Sequence, residues 1–116
     1  MLSNKVLHKT VQDIKRIAGF DCAVWDRKGT CLVMTHEKMQ KYEKQVQELW
    51  QDVDGKTEIL QERQGFFFVF DEEKPIYLLG LEGEPANMEM AGRMGASQLS
   101  GLLTAYKDKL DKNRFI

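Results

Sequence analysis

The sequence predicts an α+β fold in which a five-stranded antiparallel sheet carries an inserted middle helix and long N- and C-terminal helices. Three observations predict this fold. Segments with apolar residues at every third or fourth position begin the chain, interrupt it once and end it. Five short runs rich in aromatic and aliphatic residues lie between these segments. Most of the runs are joined by turns too short for a crossover, which favours antiparallel pairing.

Two of the helices have recognisable ends. The N-terminal helix is predicted over residues 3–18, where Ser3 or Asn4 can cap the free backbone N–H groups of the first turn. Gly19 ends it, since glycine readily adopts the left-handed conformation that closes many helices. The middle helix is predicted over residues 36–52 by the spacing of its apolar side chains.

The strands are predicted in two groups. The first group is a hairpin of residues 20–26 and 30–35, joined by the turn "DRKG". The second group contains three strands, at residues 57–63, 65–71 and 76–83. Its central strand, "GFFFVFD", is apolar throughout, so both of its faces are expected to be covered. Strand alternation places Phe66, Phe68 and Phe70 on one face, and Phe67 and Val69 on the other.

The last helix, predicted over residues 87–111, contains Gly92, Gly95 and Gly101. Each interior glycine costs a helix about 1 kcal/mol relative to alanine. We interpret these glycines as a smooth face that lets the sheet, another helix or a second subunit approach closely. Before the helix, Gly83 in "LEGEP" is expected to supply the backbone freedom for a sharp turn.

Composition limits the possible functions. The 116 residues are enough for one domain, predicted over residues 1–116. With a net charge of −1, no excess of basic residues suggests a surface for nucleic acid or membrane. The N-terminus is charged throughout and no apolar run approaches a membrane span, so a cytoplasmic protein is expected. For Cys22 and Cys31, both in apolar runs, buried thiols are favoured over a disulfide.

No catalytic, metal or cofactor motif is found. The chain has only two histidines, His8 and His36, and lacks a Cys-x-x-Cys pair, so no metal site is predicted. His36 could be drawn as an acid–base pair with Glu37 or Glu43, which would suit a small enzyme. Adjacent helical residues point apart, however, so we expect a protein that is not an enzyme and has no catalytic residues and no cofactor.

Two stretches resemble a known family. "CAVWDRKGTCL" resembles the family signature I-x-I-x-D-x-x-G-x-I, with Asp26 and Gly29 in register. "LLGLEGEP" resembles V-G-x-I-G-I-T-G-x-P through Gly80, Gly83 and Pro85. Together with the order of helices and strands, they resemble the sensor domain of carbohydrate diacid (sugar diacid) transcriptional regulators, which is PAS-like. The resemblance implies a cytoplasmic sensor that regulates transcription of genes for sugar-diacid or related organic-acid metabolism.

The resemblance also implies partners. These are a small organic acid, such as a sugar diacid, and DNA, which is contacted only through a separate C-terminal helix-turn-helix that this chain does not contain. The family usually reads R-I-G-x-x-H where this chain has "EKMQKYEKQV", and G-V-x-x-P-I where it has "GFFFVFD". Both departures fall where ligand contacts are expected, so the resemblance supports the fold more closely than a particular ligand.

Aromatic side chains on the strands are open to two interpretations, as packed core or as the wall of a ligand pocket between the sheet and the middle helix. The sequence does not decide which face of the sheet holds such a pocket. Charged residues near it are plausible partners for an anion and equally plausible surface charges. The predicted ligand-binding residues are His36, Lys38, Tyr42, Arg63, Phe67 and Tyr77.

Two functions remain in competition. The first is a ligand-sensing regulatory domain, and the alternative is a dimerisation module of the same fold whose pocket is filled by side chains. Both are expected to form a homodimer through the terminal helices, because the last helix is too long to bury its whole apolar stripe on a small sheet. The predicted stripe contains Met88, Ala91, Gly95, Gln98, Leu102, Ala105 and Tyr106.

Overall fold

The chain folds into one antiparallel sheet with helices on both faces. The structure is a computed structural model that describes residues 2–114, with side chains described for residues 2–107. Its elements in chain order are α1 (Asn4–Ala18), β1 (Asp21–Trp25), β2 (Cys31–Met34), a 3₁₀ helix (Glu37–Tyr42), α2 (Glu43–Gln51), β3 (Glu58–Leu60), β4 (Gln64–Asp71), β5 (Lys74–Glu82) and α3 (Met88–Arg114). The strand order is β2-β1-β5-β4-β3, which confirms the predicted five-stranded α+β fold. Within residues 2–114, no helix has the length and apolar character to cross a membrane.

Helix α1 begins and ends as its sequence predicts. The Ser3 side chain accepts a hydrogen bond from the backbone N–H of Val6 at 3.3 Å. Gly19 has a left-handed conformation, with φ of 83°, and its N–H donates to the carbonyl of Lys15. Both ends therefore satisfy backbone groups that the helix itself leaves free.

The predicted middle helix is two helices rather than one. Residues 37–42 form a 3₁₀ helix whose first turn is capped by His36, since Nδ1 of His36 accepts from the backbone N–H of Lys38 at 3.0 Å. Met39 and Tyr42 are three residues apart, which places them on one side of a helix with three residues per turn. Val46 follows Tyr42 by four residues and suits the α-helical repeat of α2.

The two faces of the sheet have separate cores. We call the side covered by α1 and α3 the α1–α3 face, and the side covered by the 3₁₀ helix and α2 the α2 face. Alternation along β4 puts Phe67 and Val69 on the α1–α3 face and Phe66 and Phe68 on the α2 face, as predicted. All four are buried, which confirms that both faces of this strand are covered.

Helix α3 uses two of its three glycines for close packing. A Cβ atom on Gly92 would lie 2.0 Å from Cε1 of Phe67, and one on Gly95 would lie 2.8 Å from Cδ1 of Ile14. Gly101 has no such neighbour within 4 Å, so the interpretation of a smooth face is wrong there. Up to residue 107, where side chains are described, the buried residues of α3 are Met88, Gly92, Gly95, Leu99 and Leu103, whereas Gln98, Ala105 and Tyr106 of the predicted stripe are exposed.

The glycines of "LLGLEGEP" make room for aromatic rings. A Cβ atom on Gly80 would lie 2.6 Å from Cζ3 of Trp25, and one on Gly83 would lie 2.8 Å from Cδ1 of Phe20. Gly83 is not among the glycines with positive φ, so the expectation that it supplies backbone freedom is wrong. Glycine at these positions instead lets rings from the neighbouring chain segment lie directly on the backbone.

Both cysteines are free thiols, as predicted. Cys22 is buried on the α1–α3 face, and the half-buried Cys31 packs on the α2 face. Burial raises the pKa of the Cys22 thiol to about 12, so this group stays protonated at physiological pH.

Candidate functional site

The six residues predicted to bind a ligand do not converge on one pocket. Phe67 and Tyr77 are buried on the α1–α3 face, and Tyr42 is buried on the α2 face. The other three, His36, Lys38 and Arg63, are exposed. Tyr77 lies directly opposite Val69, which is two residues from Phe67 on β4, so Tyr77 and Phe67 share a face. Tyr42 lies on the opposite face of the sheet.

Phe67 and Tyr77 have contacts inside the α1–α3 core. The ring of Phe67 occupies the space left by Gly92 of α3. The hydroxyl of Tyr77 accepts a hydrogen bond from the backbone N–H of Leu2 at 3.1 Å and so ties the N-terminal segment to the sheet. These contacts connect the terminal helices to the sheet.

A cluster of charged side chains lies where the 3₁₀ helix meets the ends of β1 and β5. Asp21 and Glu82 are direct cross-strand partners, so their carboxylates come from adjacent positions. Lys38 Nζ lies 2.8 Å from Asp21 Oδ2, and Lys41 Nζ lies 3.1 Å from Glu82 Oε1. Lys15 of α1 also pairs with Asp21, at 3.2 Å. We call these five residues the carboxylate cluster.

Both carboxylates of the cluster are held in the charged form. Burial alone raises the pKa of Asp21, but hydrogen bonds from Lys38, Lys15 and Thr35 outweigh it and lower the pKa to about 2. Burial likewise opposes ionisation of Glu82, and hydrogen bonds from Lys41 and Tyr42 lower its pKa overall. The cluster therefore holds the 3₁₀ helix on the sheet by ion pairs at neutral pH.

The cations predicted to bind an anion are already paired within the chain. Lys38 is bound to Asp21, and Arg63 Nη1 lies 3.0 Å from Glu84 Oε1 in an exposed pair. His36 uses Nδ1 to cap the 3₁₀ helix. An anion that bound here would have to displace the chain's own carboxylates from Lys38 and Arg63.

The α2 face is lined by aromatic rings. Tyr42 meets Phe66 edge-on, with centroids 5.6 Å apart, and Trp50 meets Phe68 in the same way at 5.2 Å. Trp25 packs against Phe66 at 6.3 Å and lies over Gly80. Edge-on and tilted pairs of this kind are favourable arrangements for aromatic side chains.

Two indole N–H groups on the α2 face have no hydrogen-bond acceptor among the described residues. They are Nε1 of Trp25 and Nε1 of Trp50, and both atoms are buried. A buried donor without an acceptor costs about 1–3 kcal/mol, and tryptophan N–H groups usually find a partner when buried. The α2 face therefore offers two donors that a bound molecule with oxygen atoms could satisfy.

The sequence did not single out Asp21, Glu82 or Trp50, and it treated Trp25 only as one of the strand aromatics that form either core or pocket wall. Asp21 opens an apolar strand and Glu82 lies inside the family-like motif, which are weak signals taken separately. Only the register of β1 against β5 brings these two carboxylates together. Over the described residues, no group of histidine, cysteine and acidic side chains is placed to hold a metal ion.

Comparison with protein families finds no family that matches this sequence, and comparison with curated proteins finds no match.

Proposed function

We propose that this chain is a small-molecule-sensing regulatory domain, belonging to a transcriptional regulator of sugar-diacid or related organic-acid metabolism. The observation that carries the proposal is the pair of buried indole N–H groups on the α2 face, from Trp25 and Trp50, which lack acceptors within the described residues. Organic acids carry several oxygen acceptors on a small carbon body, which suits isolated donors set among aromatic rings.

The cover of the α2 face also supports a sensor. It consists of a six-residue 3₁₀ helix and the nine-residue α2, held at one end by the carboxylate cluster. A 3₁₀ stretch within a longer helical segment often marks a hinge, and this 3₁₀ helix runs directly into α2. The two lysines that hold it to the sheet, Lys38 and Lys41, are exposed to solvent. A ligand that entered beneath this cover would change its position relative to the sheet.

The proposal includes partners and a location. The domain acts in the cytoplasm without catalysis and forms a homodimer through α1 and α3. DNA is contacted by a separate helix-turn-helix module. Ligand binding on the α2 face alters the sheet, and the sheet carries the change to the terminal helices through buried contacts such as Phe67 against Gly92.

A thermal-shift screen tests the sensing function. Glucarate, glycerate and related organic acids should raise the melting temperature of the wild-type chain, since a ligand at 100 times its dissociation constant stabilises by about 2.7 kcal/mol. Sodium sulfate at equal ionic strength controls for a general salt effect. A flat response across the organic acids at millimolar concentration would contradict the proposal.

The alternative is a PAS-like dimerisation module with a filled pocket and no ligand. The observation that favours it is the tight packing at the centre of the α2 face, where Trp25 occupies the space above Gly80. This module would show no thermal shift with any acid and would still form a dimer. The screen therefore separates the two functions without a structure of a complex.

A further inference from the structure

A cleft lies between the β1–β2 hairpin and the second half of α2. It has a volume of about 380 Å³ and is lined by Arg27, Lys28, Gln47, Trp50 and Gln51. Arg27 and Lys28 come from the turn of the hairpin, whereas the other three come from α2. The cleft is at the opposite end of β1 from Asp21, so it is separate from the carboxylate cluster.

The two cations of the cleft are not neutralised by the chain. Neither Arg27 nor Lys28 forms an ion pair with any described carboxylate, whereas Lys38 and Arg63 are both paired. The adjacent Asp26 uses Oδ1 to accept backbone hydrogen bonds, from Lys28 at 2.9 Å and from Thr30 at 3.0 Å. The cleft thus has two adjacent cations that form no ion pair with a described carboxylate, and the residues that line it include no acid.

The turn that carries these cations is held in a defined shape. Besides the two hydrogen bonds to Asp26, Gly29 has a φ of 81° and donates its N–H to the carbonyl of Asp26 at 3.0 Å. A Cβ atom on Gly29 would lie 2.7 Å from Cγ of Gln47, so the turn sits directly against α2. A preorganised turn lowers the entropy that must be lost when a ligand is bound.

The remaining lining side chains add neutral donors and an aromatic surface. Gln47 and Gln51 are four residues apart on α2, so their amide groups lie on the same side of the helix. Trp50 lines the cleft, and its Nε1 is one of the two buried indole nitrogens without an acceptor in the described structure. A guanidinium, an ammonium and amide donors together match the several acceptor oxygens of a carboxylate.

We propose that this cleft is the binding site for an organic acid, whose carboxylate is held by Arg27 and Lys28 and whose carbon body lies against Trp50. The assignment rests on the proposed sensing function and places the ligand at residues other than those predicted from the sequence. Arg27 binds the carboxylate through its planar fork of N–H groups, and Lys28 adds a second charge. The glutamine amides bind further oxygens of the acid.

The experiment compares two charge-matched double variants by isothermal titration calorimetry, with glucarate and glycerate as probes. Arg27→Ala/Lys28→Ala removes the two cations of the cleft. The control, Lys5→Ala/Lys74→Ala, removes one exposed lysine of α1 and one at the start of β5, and neither forms an ion pair within the described structure. All four positions are exposed, so both variants should unfold near the wild-type temperature without ligand.

The cleft variant should bind about tenfold or more weakly, because hydrogen bonds to a charged group are lost, while the control binds as wild type does. Equal binding by both double variants would overturn the assignment of the cleft and leave the sensing function standing. If Lys38→Ala/Arg63→Ala lost binding while the cleft variant bound normally, the cleft assignment would be wrong. The ligand would then bind at the residues predicted from the sequence. No binding of either acid to the wild-type chain would overturn the sensing function together with the site.

Fluorescence provides a second, independent readout. Trp25 and Trp50 are the only tryptophans of the chain, so Trp50→Phe leaves a single indole, which is fully buried. In the wild-type chain, the acid should change the emission spectrum, and Trp50→Phe should remove most of that change. A spectral change of full size in Trp50→Phe would show that the ligand does not lie against Trp50 and would overturn the proposal.

Discussion

Asp21 shows at the scale of one residue how this fold places a charge at the edge of its core. The residue is 7% exposed and would be costly to ionise alone, since burial disfavours a carboxylate. Hydrogen bonds from Lys38, Lys15 and Thr35 reverse this balance and bring its pKa to about 2. One carboxyl group therefore bonds to three chain segments: α1, the 3₁₀ helix and the residue after β2.

The low pKa of Asp21 predicts a specific dependence of stability on pH. Because the pKa falls from 3.8 in the unfolded chain to about 2 in the folded one, the charged group contributes about 2 kcal/mol above pH 4. That contribution is lost as pH falls from about 4 through 2. Urea unfolding of the wild-type chain and of Asp21→Asn should therefore give a difference in free energy that shrinks over this interval. If the difference in free energy of unfolding between the two proteins stayed constant from pH 4 to pH 2, the prediction would be wrong.

At the scale of elements, local periodicity explains what the sequence could predict. The two faces of β4 follow from alternation alone, and the ends of α1 follow from a serine and a glycine whose chemistry is local. The break between the 3₁₀ helix and α2 at Tyr42 was missed, because residues three and four apart satisfy both helix types. The close contact between Gly83 and the ring of Phe20 was also missed, because the two residues are far apart in sequence and only the fold brings them together.

Helix α3 provides a matched test of the packing of its glycines. Gly92→Ala should destabilise the protein by about 1–3 kcal/mol net, because its Cβ atom would overlap the buried ring of Phe67. Gly101→Ala should stabilise it by about 0.5–1 kcal/mol, since the position is exposed and alanine favours the helix. Urea unfolding at pH 7 measures both changes. A stabilising effect of Gly92→Ala equal to that of Gly101→Ala would refute the close approach of α3 to the sheet.

At the scale of the whole molecule, the candidate site was less predictable than the fold. Which lysine or arginine is free to bind an anion depends on where each carboxylate lies in three dimensions. The fold places Asp21 beside the ammonium group of Lys38, whereas the ammonium group of Lys28 has no ion-pair partner among the described carboxylates. Long-range pairing therefore determines the charge available to a ligand, and alternation along a strand carries no information about it.

The outer surface of α1 and α3 is the part of the molecule that fits the proposed homodimer. A groove between these helices is lined mainly by apolar side chains, including Ile14, Ala91 and Met94. Ile17 is 74% exposed, Met94 is 66% exposed and Met90 is 63% exposed, all on these two helices. Gly95 faces inward, against Ile14 and Leu79, so substitutions there would disturb the protomer itself and would not report on association.

Exposed positions on the two helices therefore provide the clean test of association. Light scattering after size exclusion should give twice the 13.4 kDa mass of the chain at tens of micromolar. Ile17→Glu/Met94→Glu should give the mass of one chain with little loss of protomer stability, because a charge in an apolar interface is left unpaired while both side chains are exposed in the protomer. The control is Leu60→Glu, at an exposed apolar position on the edge strand β3, and it should remain a dimer. A wild-type chain that elutes with the mass of a monomer would exclude the homodimer, and a dimer that survives the double substitution would place the interface elsewhere.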